Sequence, residues 1–124
     1  LHNTLSLHDA LPILMRDIYK ALAGFEAQFE EVYGLSLNEA MILCALQEAQ
    51  KEMTSTDLSA RTEMGTSHTS KVIRTVEEKG LIKRALGETD KRQMYFSLTP
   101  KGEKQLEAIN LEKVEVPEML KPLL

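Results

Sequence analysis

The hydrophobic positions of this chain change their spacing along its length, and each change predicts an element. From Met15 to Tyr33 the apolar residues Ile18, Leu22, Phe25, Phe29 and Val32 recur every three to four positions, the mark of an amphipathic helix, and Gly34 ends it. Ser36 opens S-x-x-E with Glu39, a capping box in which each side chain can bond an otherwise free backbone amide. The helix behind it carries Leu37, Ala40, Met41, Leu43, Cys44 and Leu46 and runs to about Gln50. Thr54 and Asp57 repeat the cap for a short helix ending near Arg61 or Thr62. Met64 and Gly65 then make a tight turn, and Thr66 is placed to cap a further helix that Gly80 closes.

After Gly80 the period shortens to two. Leu81–Leu86 and Gln93–Leu98 read as strands, the second alternating Met94, Phe96 and Leu98 against Gln93, Tyr95 and Ser97. The polar stretch between them, Gly87 to Arg92, makes the pair a hairpin with a charged tip. Thr99-Pro100 starts another helix, a cap residue followed by proline at the first helical position, expected to reach about Lys113 before Pro117 breaks it. The predicted class is therefore mostly α with a small β-hairpin. A winged helix-turn-helix spans 34–102, flanked by helical segments at 15–33 and 103–124.

Residues 1–14 lack this order. They show no clear period, and Pro12 interrupts them. The string Thr4 to Ile13 also has the look of an adapter read joined in frame. The expectation is that Met15 is the native start and that 1–14 is a non-native or disordered segment.

Composition narrows the function. A net charge of −4 argues at first against nucleic acid, but its distribution does not. Residues 1–53 carry 3 basic and 8 acidic side chains, 54–104 carry 10 and 7, and 105–124 carry 2 and 4, so the basic charge sits in the middle of the chain, flanked by acidic segments. The longest purely apolar run, Ala40–Leu46, is too short to span a membrane. One cysteine makes no internal disulfide, which suits a reducing cytoplasm, and Cys44 on an apolar stripe reads as an inert core residue. No nucleophile–base pair, phosphate-binding glycine loop or metal-ligand set is present, so neither an enzyme nor a cofactor is expected. Ser67 and His68 are neighbours on a helix and diverge by about 100°. His68 also lacks a second ligand at i+3 or i+4.

The helix Thr66–Lys79 carries the functional argument. Thr69, Val72, Ile73 and Val76 fall on one side, and Ser67, Ser70, Lys71 and Arg74 on the other, with His68 and Thr75 at the flank. Short hydrogen-bonding residues plus two cations are the side chains that reach base edges and phosphates in a major groove. Glu77 and Glu78 would repel phosphate, so contact is assigned to the first half, Thr66 to Arg74. A polar outer face is the default of any surface helix. It is the turn before this helix and the wing after it that single it out.

The stretch from Gly34 to Gly102 resembles the MarR family of bacterial transcription regulators. The matching residues are Gly34-Leu35-Ser36, Leu58, Val72-Ile73, Val76-Glu77-Glu78-Lys79-Gly80-Leu81-Ile82, Arg84, the D-x-R of Asp90-Lys91-Arg92, and Leu98-Thr99-Pro100-Lys101-Gly102. The resemblance implies a homodimer on a pseudo-palindromic DNA operator, with control by a small-molecule effector. It places Arg92 in the minor groove, Asp90 as its brace and Lys91 on a phosphate; Arg84 supports the wing or faces DNA. The apolar faces of Met15–Val32 and Leu106–Leu124 imply burial against a partner subunit, although the C-terminal segment is shorter than the family's. The alternative for the same residues is a winged-helix module whose exposed helix docks a protein.

Overall fold

The computed structural model describes residues 7–109 together with Pro117, Glu118 and Pro122. The expected helix beyond Asn110 lies outside the described residues. Two compact units part at Gly34 and Leu35.

Helix α1 (Leu7–Tyr33) makes up most of the described part of the first unit. It begins earlier than the sequence pattern predicts, so residues 7–14 are helical and not unstructured; residues 1–6 lie outside the described residues. Pro12 lies near the start of the described helix, where a missing N–H removes a single bond. Phe25, Phe29 and Tyr33 form a ladder at four-residue spacing, with ring centroids 6.4 and 4.9 Å apart. Gly34 closes the helix at φ 70°, its N–H donating to the Glu30 carbonyl.

The second unit, 35–109, runs α2 (Leu37–Ala49), β1 (Met53–Thr54), α3 (Ser55–Thr62), α4 (Thr66–Glu78), β2 (Ile82–Leu86), β3 (Met94–Leu98) and α5 (Pro100–Glu107). Both capping boxes form. Ser36 Oγ accepts from the Glu39 amide at 3.1 Å and Glu39 returns the bond to the Ser36 amide at 2.8 Å. Thr54 and Asp57 do the same at 3.1 and 3.2 Å. The cap of α4 departs from expectation. Gly65, at φ 84°, is the N-cap and supplies no side chain, while Thr66 is the first helical residue. The turn needs a backbone conformation that favours glycine, which places Thr66 one position too late to cap.

The core is assembled from Leu35, Ile42, Leu43 and Leu46 around α2, Leu58 of α3, Val72, Ile73 and Val76 of α4, and Phe96 of the sheet, all buried. Cys44 is not among them. It is exposed on α2, and partial desolvation of the thiol, helped by the nearby Glu48 charge, raises its pKa. The apolar residues of α2 run around much of the helix, so sequence spacing placed Cys44 on the wrong side.

The hairpin is larger than expected. Antiparallel β2 and β3 pair from Ile82↔Leu98 to Leu86↔Met94, and β1 adds a third strand on the other side of β3 through Met53↔Phe96 and Thr54↔Tyr95. Two residues are too few to show a period in sequence.

The junction after α4 accounts for the densest part of the motif. Gly80, at φ 75°, donates to the Glu77 carbonyl and Leu81 to the Val76 carbonyl, the paired bonds of a Schellman ending. Thr99 caps α5 by accepting from the Gly102 amide at 3.0 Å, and its hydroxyl donates to the Gly80 carbonyl at 2.7 Å. Lys101 Nζ donates to the Lys79 carbonyl at 2.9 Å. A Cβ on Gly102 would lie 2.1 Å from the Leu81 carbonyl oxygen, so only glycine fits. Helix α5 ends at Glu107, short of the predicted Lys113. Its last bonds tighten, with the Ile109 amide reaching back only to Leu106.

Candidate nucleic-acid interface

Helix α4 separates its residues as the spacing requires. Thr69, Val72, Ile73 and Val76 are buried, and Thr66, Ser67, His68, Ser70, Lys71 and Arg74 are exposed. Thr69 is a polar residue at no exposure, and it is satisfied because its hydroxyl donates to the Gly65 carbonyl at 2.6 Å. The exposed face thus carries three hydroxyls, an imidazole and two cations on one rigid element. His68 is already engaged: Asn38 Nδ2 lies 3.0 Å from its Nε2, within hydrogen-bond reach of the ring.

The wing tip holds its own shape. Gly87 donates to the Gln93 carbonyl and Gln93 to the Asp90 carbonyl, closing the loop. Gly87 is required there, because a Cβ would lie 2.6 Å from the Asp90 carbonyl oxygen. Asp90 Oδ1 accepts from both the Arg92 amide (3.0 Å) and Arg92 Nε (3.2 Å). The Arg92 side chain is nevertheless 92% exposed, so the brace sets its direction without covering the guanidinium. Lys91 is exposed beside it.

Arg84 behaves differently. Its guanidinium makes a two-pronged pair with Glu77 and lies 5.6 Å from the centre of the Phe96 ring. The hydrogen bonds from Arg84 hold the Glu77 carboxyl below the usual range, and Glu77 in turn raises the Arg84 pKa. This corrects one expectation: Glu77 is charge-paired with Arg84 and is not a free repulsive charge, whereas Glu78 is exposed. Arg84, Arg74, Ser70, Ser55, Ile73 and Phe96 line an open depression of about 160 Å³. Ser55 was missed in sequence. The signal was present, since the Thr54 cap makes Ser55 the first residue of α3.

Glu39 has partners beyond its helix cap. It is 5% exposed and does more than close its capping box: Oε2 accepts from the Thr75 hydroxyl at 2.9 Å and Oε1 from Lys79 Nζ at 2.8 Å. Burial by itself would raise its pKa, but the bonds from Lys79, the Ser36 amide and Thr75 outweigh it and hold the pKa below the usual carboxylate value.

Among the described residues no helix is long and apolar enough to cross a membrane, and no three His, Cys, Asp or Glu side chains cluster as a metal site.

A tri-helical turn with an exposed helix face, followed by a short sheet with a basic tip, defines a winged-helix protein. The chain belongs to the winged helix DNA-binding domain family, whose model matches residues 35–102, over half its length. Among solved structures it is similar to a probable transcriptional regulator from Pseudomonas aeruginosa (26% identity, TM-score 0.71, covering 96% of this chain and 89% of that one). It is also similar to the transcriptional regulator BldR from Sulfolobus solfataricus (27%, TM-score 0.63, 96% and 82%). A third neighbour is S. aureus MepR, solved as a DNA complex (26%, TM-score 0.60, 77% and 78%). Two of the three are described as transcriptional regulators and the third was solved on DNA, in keeping with the regulator family that the sequence resembles. No curated protein matches the chain.

Proposed function

We propose that this protein is a transcription regulator that binds duplex DNA as a homodimer on a pseudo-palindromic operator, with the first half of α4 in the major groove and the wing in the minor groove. The observation that carries the reading is the exposed face of α4. Ser67, Ser70, Lys71 and Arg74 stand free on the side opposite the buried Thr69, Val72, Ile73 and Val76. That set can contact both phosphates and base edges. The wing supports it, because Asp90 orients an Arg92 guanidinium that solvent still reaches, as a minor-groove contact needs. Thr66 and His68 border the same face, and Lys91 supplies a phosphate contact. Arg84 supports the wing through Glu77 and Phe96.

The dimer reading rests on α1, where Leu11, Leu14, Met15, Ile18 and Leu22 are all exposed along a helix that begins at Leu7. A solvated stripe of that length is costly unless a second copy covers it. Control by a small-molecule effector follows from the family resemblance. The protein acts in the cytoplasm and performs no catalysis. The MepR relative was solved on DNA, which favours this reading over a protein-docking module.

The test is selection of bound sites from random duplexes, followed by binding titrations at increasing salt. A selected duplex with two related half-sites and a steep salt dependence is expected, each phosphate contact adding about 0.9 to the slope. A flat salt response, or no selected sequence, sinks the reading in favour of the protein-docking module.

A further inference from the structure

Helix α2 is not a candidate for DNA contact by any feature of its sequence, yet its first turn grips α4 at both ends. Near the start of α4, Asn38 Nδ2 lies 3.0 Å from His68 Nε2, within hydrogen-bond reach. Near its end, Glu39 accepts from Thr75 and from Lys79. These partners lie 30, 36 and 40 residues away in sequence, so the grip is tertiary and not part of the helix cap. We propose that Asn38 and above all Glu39 are positioning residues for DNA recognition. Their bonds to His68, Thr75 and Lys79 set the orientation of α4 and so its ability to discriminate sequences. This rests on the reading of α4 as the recognition helix.

The physical reason lies in how the two kinds of contact restrain a helix. The buried face of α4 is held mainly by aliphatic side chains, whose attraction to the core has no direction and changes little when a helix slides or turns slightly. Base readout is less tolerant, since a functional constellation must be held within about 0.5 Å of its productive geometry. Directed bonds supply that restraint. A nearly buried carboxylate must keep its partners, because an unpaired charge there is strongly unfavourable. Glu39 uses both oxygens, its Thr75 bond falling on the last turn of α4 and its Lys79 bond on the C-cap residue just beyond. Rotation of α4 about its axis would break them together. Asn38 adds a grip beyond these, toward the DNA-facing half, where rotation would matter most.

The test uses the full chain and two duplexes: one selected by the wild-type protein from a random pool, and one unrelated duplex of equal length. Both are titrated by fluorescence anisotropy at one salt concentration, with helix content followed by circular dichroism. Glu39→Gln keeps the side chain's shape and removes its charge. The substitution is expected to leave the protein folded and to weaken binding to the selected duplex by about tenfold, the scale of one lost base contact. Affinity for the unrelated duplex stays within about twofold, because Lys71, Arg74, Lys91 and Arg92 are untouched. A merely structural role would lower both affinities in proportion to the unfolded fraction, and that outcome overturns the proposal, as does an unchanged preference. Should Glu39→Gln fail to fold, Lys79→Gln leaves the capping box intact and removes the same ion pair, and it must show the same selective loss; unchanged discrimination there overturns the proposal. A wild-type protein that selects no duplex removes the DNA reading and this inference together, whereas selection retained by Glu39→Gln removes the inference alone.

Discussion

Replacing Arg92 by alanine isolates the contribution of the wing. The guanidinium is 92% exposed and its pair with Asp90 lies in solvent, so the substitution should leave the unfolding midpoint essentially unchanged. Its effect should fall on DNA binding instead. The exposed cations of the proposed interface are Lys71, Arg74, Lys91 and Arg92, hence eight in a dimer. At about 0.9 per neutralised phosphate, log K should fall with log salt at a slope of about −7. Between about 50 and 200 mM salt that amounts to a loss of roughly 10⁴ in affinity. Removing Arg92 from both wings should bring the slope to about −5 and reduce the same loss by roughly tenfold. Anisotropy titrations at four or five salt concentrations, on a duplex selected by the wild type, measure both slopes. A slope unchanged in the variant, together with near-normal affinity, would falsify the placement of Arg92 against DNA. A fall in the unfolding midpoint would instead mean that the brace matters to the fold.

Three further outcomes follow from the packing and the charges. Gly102→Ala should cost roughly 2–4 kcal/mol in urea unfolding, because its Cβ meets the Leu81 carbonyl at 2.1 Å and that oxygen also accepts the Thr99 amide. A loss below about 0.5 kcal/mol would show that the junction adjusts freely. Glu39 has a native pKa below its unfolded one, so the stability it contributes is complete above the ordinary carboxylate range and lost as pH falls through the lowered value. Urea midpoints followed from about pH 6 to about pH 3 should therefore decline less steeply in Glu39→Gln than in wild type, and parallel declines would contradict the assignment. Arg84→Met should retain the Phe96 contact in apolar form and reduce the DNA salt slope far less than Arg92→Ala; an equal reduction would place Arg84 on phosphate.

Much of this protein is set by short-range rules. Ser36 with Glu39, Thr54 with Asp57, and Thr99 with Pro100 each act within one helical turn, so the starts of α2, α3 and α5 could be read directly. The alternation of 94–98 and the period of α4 likewise report one neighbouring surface each, and the D-x-R of the wing closes on itself within three residues. What escaped the sequence depends on distant partners. The strand β1 exists because β3 offers it an edge, and two residues carry no pattern of their own. Glu77 loses its free charge to Arg84 on another element. Cys44 faces outward because packing chose one side of a helix that is apolar on several. Glu39 is the plainest case. Its role as a cap was legible three residues away, but its hold on the recognition helix was decided only when folding brought Thr75 and Lys79 to its second oxygen and its charge. A hydrogen bond's partner is a matter of position in space, and sequence specifies that position only through the whole fold.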